Sequence, residues 1–79
     1  MADYYNVRDI CKWKDGPTTI RSGRYEDMDE ALTVAQQSRV NYEDILKTDW
    51  TEIAGYSISV EEVSGMNMIT IALMEGGTW

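Results

Sequence analysis

Between Tyr56 and Met74 an alternating apolar and polar run is followed, after a turn signal, by a largely apolar one. Tyr56, Ile58 and Val60 alternate with Ser57, Ser59 and Glu61 in a pattern that continues toward Val63. After Ser64-Gly65, Ile69, Ile71 and Leu73 take one parity and Met68, Thr70, Ala72 and Met74 take the other. A period of two sends successive side chains to opposite faces of a strand, so the stretch predicts a β-hairpin. The face carrying Ile69, Ile71 and Leu73 is the one expected to lie under helices. The rest of the chain has to supply that cover.

Upstream, Tyr5, Val7, Cys11 and Trp13 share one strand parity, with Arg8, Lys12 and Lys14 opposite, and the run stops at Asp15-Gly16-Pro17. This reads as a strand and a turn. A short helix behind Asp3, with Tyr4, Val7, Ile10 and Cys11 on one face, is the alternative. Thr18 to Tyr25 reads as a second, exposed strand with Gly23 as a bulge. In Asp27-Met28-Asp29-Glu30-Ala31-Leu32 an acid is followed three residues later by Glu, just ahead of apolar positions at helical spacing, which predicts a helix from Met28 to Gln37 or Ser38. A second helix is expected from Asn41, with Tyr42, Ile45, Leu46, Trp50 and Ile53 on one face and Gly55 at its end. The expected architecture is α+β in the order ββααββ, a small antiparallel sheet with helices on one face. Residues 1–79 form one domain, with 75–79 as a flexible tail.

Composition narrows the function. A chain of 79 residues buries only about 60% of the surface it exposes unfolded, which leaves little room for an enzyme cleft beside a core. Phe is absent, so all five Tyr and three Trp carry a polar group that wants a partner when buried. Histidine is absent too, which removes the commonest general base and a common metal ligand. The single cysteine, Cys11, cannot form an intrachain disulfide and reads as a core residue of the first strand. The acidic groups Glu26-Asp27-Asp29-Glu30, Glu43-Asp44 and Glu61-Glu62 lack the spacing of a calcium loop, and no glycine-rich phosphate loop is present. The expectation is a non-enzymatic protein with no cofactor and no metal. A membrane helix needs ~20 apolar residues, and the longest apolar stretch, Met66 to Met74, is interrupted by Asn67 and Thr70. With no signal-peptide pattern at the start, the expected location is the cytoplasm.

The formal charge of −7 is uneven. Residues 1–24 hold five bases against three acids, whereas residues 25–79 hold eleven acids against Arg39 and Lys47. A field of that sign disfavours nucleic acid and anionic membranes and favours a basic surface. The partner-binding residues expected on this basis are Glu26, Asp27, Asp29, Glu30, Glu43 and Asp44, gathered around two helix starts. Trp79 either caps the core or anchors in a partner pocket.

A compact acidic chain without catalytic residues, in which Tyr25-Glu26-Asp27-Met28-Asp29-Glu30-Ala31-Leu32 leads from strand to helix, resembles the small proteins that phages encode against bacterial defence systems, anti-CRISPR proteins among them. The resemblance implies occupation of the basic nucleic-acid channel of a host effector, or blockage of one of its subunits. It implies action in the host cytoplasm and assigns no residue. Two other readings stand beside it. One is an oligomeric assembly or accessory module, a homodimer with the C-terminal strand and Trp79 near its interface. The other is a nucleic-acid binder using the basic first hairpin with Trp13 and Tyr25.

Overall fold

The computed structural model of the chain describes residues 2–48 and 52–78. Its elements follow in the order β1 (Tyr4–Trp13), β2 (Thr19–Tyr25), α1 (Met28–Leu46), β3 (Ile53–Ser64) and β4 (Asn67–Gly77). The strands form one antiparallel sheet in the order β2-β1-β3-β4, so each hairpin contributes one inner and one edge strand.

The order is ββαββ among the described residues, and the two helices of the ββααββ expectation are one. Arg39 and Val40, read as the gap between a helix ending at Gln37 or Ser38 and one starting at Asn41, lie inside the 19-residue α1. No Gly or Pro interrupts this segment, and Ala31, Ala35, Ser38, Tyr42 and Leu46 recur every three or four residues, so the inward stripe crosses it in phase. Gln37 also donates to Asn41 across it, at 3.1 Å. The helix stops early because Lys47 and Thr48 turn back onto the last carbonyls: the Thr48 hydroxyl donates to the Ile45 carbonyl at 2.7 Å. Ile53 and Gly55, assigned to a second helix from the sequence, belong to β3. At the other end Asp27 is the N-cap in an extended conformation. It makes no side-chain capping bond, and Asp29 and Glu30 follow in the first turn.

One face of the sheet lies beneath α1. Val7, Tyr56, Ile58 and Val60 meet Ala31 and Ala35 there in the buried core. Two alanines at the contact let the helix axis approach the strands closely. Leu32, Val34, Tyr42 and Leu46 close the flanks, half-buried.

The cover over β4 is the reverse of the sequence expectation. Val60 pairs with Ala72 and Glu61 with Thr70, so Ile71 is the extra residue of a β-bulge and parity changes across it. Ala72 and Met74 therefore face the helix. Leu73, opposite Ser59, points from the uncovered face, while Ile69 returns to the helix side outside its cover. Ile69, Ile71 and Leu73 are 60%, 37% and 58% exposed, not buried as a shared face.

The hairpin turn is Gly65-Met66. Gly65 has a φ of +59°, as a two-residue loop with glycine first requires, and its N–H donates to Asp3. The glycine-rich end, expected to be flexible from Glu75 on, is strand as far as Gly77. It pairs with Gly55, Tyr56 and Ser57, and Thr78 is bonded to the Ala54 carbonyl through N–H and hydroxyl. No helix of the described residues is long and apolar enough to cross a membrane.

Candidate interaction surface

The carboxylates singled out in the sequence do not surround two helix starts. Glu26 and Asp27 sit in the β2–α1 connection and Asp29 and Glu30 in the first turn of α1, all exposed. Glu43 and Asp44 lie in its last turns, fourteen residues on, which at 1.5 Å per residue places them about 21 Å away along the axis. Asp29, Glu30 and Asp44 belong to the outward stripe of α1, together with Thr33, Gln36, Gln37, Val40 and Asn41, every one of them exposed. That stripe holds three carboxylates and no base. Acids in the first turn agree with the helix dipole, but Glu43 and Asp44 stand at its negative end, with no base in the last turn to offset them.

Glu43 does not share this stripe. It is half-buried, and its carboxylate and the Arg39 guanidinium reach the Tyr56 hydroxyl, which burial first and Glu43 second push above its ordinary value. Tyr56 stacks on Tyr42 with ring centroids 5.2 Å apart. Glu43 is therefore tied to the core through Tyr56. Trp79 lies outside the described residues.

A buried polar cluster went unread in the sequence. Asp9 has the inward parity of Val7 and Cys11 and is 7% exposed. Arg21 approaches it from β2 at 3.1 Å, and the Tyr42 hydroxyl donates to the same oxygen at a long 3.4 Å. The signal was present: a carboxylate on a strand's buried parity requires a partner, and Arg21 stands opposite it in the hairpin register.

The basic residues of the first hairpin leave the sheet on both faces. Arg21 turns to the helix side and Asp9, whereas Arg8 and Arg24 point from the uncovered face. There Arg8 lies 3.7 Å from Glu61, whose carboxylate also accepts from Asn6 at 3.0 Å. Arg24 stacks over the Tyr4 ring at 4.0 Å, and the Trp13 indole donates to the Thr19 hydroxyl. Arg8, Arg21, Arg24 and the Trp13 indole thus each have a partner within the chain. No group of three acidic or thiol side chains capable of holding a metal ion occurs among the described residues. Comparison with protein-family models, curated proteins and solved structures gives no match.

Proposed function

We propose that this chain is a non-enzymatic binding protein that sets the acidic outer stripe of α1 and its preceding turn against a basic surface of a macromolecular partner, as an inhibitor of nucleic-acid binding there. The observation that carries the reading is the stripe itself: exposed along the nineteen-residue α1, with Asp29, Glu30 and Asp44 and no base among its residues. Carboxylates spaced along a rigid rod suit a groove built to hold phosphates, and their like-signed field steers the approach. Glu26, Asp27, Asp29, Glu30 and Asp44 form the contact in this reading, and Glu43 acts through Tyr56. The phage anti-defence role implied by the resemblance is the biological setting that such an inhibitor fits.

The test is affinity capture from nuclease-treated bacterial extract, eluted along a salt gradient, with wild type beside a variant carrying Asp27→Asn, Asp29→Asn, Glu30→Gln and Asp44→Asn. A nucleic-acid-binding protein retained by wild type, released by salt and lost from the variant is the expected result. Retention of the same protein at the same salt by a folded variant contradicts the reading.

A further inference from the structure

We infer that β4 is the contact edge of a homodimer, in which a second copy adds its own β4 to make a continuous eight-stranded sheet. The inference concerns the opposite chemistry to the acidic stripe, a nearly uncharged strand on a highly charged chain.

The two edges of the sheet differ. β2 is seven residues long and carries Arg21 and Arg24, a short and charged edge of the kind that resists pairing. β4 is eleven residues long, contains neither Lys nor Pro, and has Glu75 as its one ionisable group. Its row of unpaired backbone groups is flanked by Met68, Ile69, Ile71 and Leu73, exposed by 57%, 60%, 37% and 58%. Beside it, between β4 and α1, runs an open groove of about 620 Å³, walled by Leu32, Ala72 and Met74 on the apolar side and by Asp29, Gln36 and Val40 of the α1 stripe on the other. The helix is centred over β1 and β3 and leaves this margin uncovered.

A second copy fits the strip better than a charged partner does. A basic surface meets no carboxylate between Asn67 and Met74, so charge gives it no reason to dock there. The bulge at Ile71 ends regular pairing on that side, so a two-fold axis through Leu73 leaves Ala72, Leu73 and Met74 as the regularly paired residues. A two-fold axis through Leu73 sets Leu73 against Leu73 of the second copy on the uncovered face, and Ala72 against Met74 on the helix side. Each pair then shares a face, as antiparallel pairing demands. The four exposed side chains offer on the order of 400 Å² per protomer, half of the ~800 Å² per partner in an ordinary interface, with strand backbone adding to it. The dimer is therefore a dissociable one. Because each copy carries −7, added salt tightens it by screening. Salt has the opposite effect on a contact made by the acidic stripe, so the two claims fail separately.

The experiment is sedimentation velocity of the full chain over a dilution series at low and high salt, with Leu73→Lys and, on the other edge, Ile20→Lys. The expected result is a dimer mass that falls toward monomer on dilution and is favoured by salt. Leu73→Lys should be monomeric throughout, and Ile20→Lys should behave as wild type. Hydrogen exchange of the wild-type protein supplies a reading that needs no variant: β4 amides should gain protection with concentration while β2 amides do not. A monomer at every concentration overturns the inference, as does a dimer that Leu73→Lys leaves intact or concentration-dependent protection confined to β2.

Discussion

Asp9 shows most directly how a single residue in this chain depends on its surroundings. It is a carboxylate on the buried side of β1, and the Arg21 that accompanies it is 75% exposed at its side chain. The two halves of the pair should therefore respond unequally to removal. Arg21→Ala leaves a buried carboxylate with only the long Tyr42 bond and is expected to cost about 1–3 kcal/mol. Asp9→Leu removes the desolvated charge and frees an arginine that water already reaches, and is expected to cost less than Arg21→Ala. Urea midpoints of the two variants check the order. A second expectation concerns alkaline pH. Burial is the main reason that the Tyr42 and Tyr56 hydroxyls and the Cys11 thiol are pushed above their ordinary values of 10.0, 10.0 and 9.0. Each group holds its proton more tightly folded than unfolded. Its stabilising contribution is thus complete below the ordinary value and is lost as pH rises through the folded one. Urea midpoints on a pH series should stay level near neutrality with respect to these groups, begin to fall near pH 9.0 and fall faster beyond 10.0. A midpoint that rises over that range contradicts the assignment.

At the scale of elements, strands were more legible than their partners. The alternations of Tyr5 to Trp13 and of Tyr56 to Val60 lead to β1 and β3, and Asp27 with Glu30 marks the start of α1, because each is a local pattern with one period. What was missed is non-local or phase-dependent. The bulge at Ile71 arises from the register of β4 on β3, and one extra residue is enough to reverse which of its side chains meet the helix. The join of two expected helices into one turned on Ser38 to Asn41, a mostly polar stretch that resembles a connection until the inward stripe from Ala31 to Leu46 is followed through it. Continuity there has a measurable consequence. Val40 is 41% exposed, so proline at this position creates no core cavity but interrupts α1. Val40→Pro is expected to cost about 3 kcal/mol and to lower the helical circular dichroism. Stability and signal unchanged from wild type contradict a continuous helix.

For the molecule as a whole, the sign of the field was legible and its geometry was not. Counting charges gives −7 and an acidic C-terminal two-thirds. Counting alone could not tell that Glu43 turns to Tyr56, that Asp29, Glu30 and Asp44 share an exposed stripe, or that Arg21 and Arg24 leave β2 on opposite faces. Those placements follow from which strand pairs with which and from the unbroken helix. Together they divide the surface into an acidic rod, a mixed sheet face whose cations are largely engaged, and a nearly uncharged edge. Partner binding through the rod should weaken with salt, and self-association through the edge should strengthen. The central claim is that the rod takes the place of nucleic acid on a basic partner. The most direct measurement is displacement: a fluorescent oligonucleotide bound to the captured partner is titrated with the chain and with the four-substitution variant. The account predicts that wild type releases the oligonucleotide and that the folded variant does not. A ternary complex in which partner, oligonucleotide and chain are bound together would contradict it.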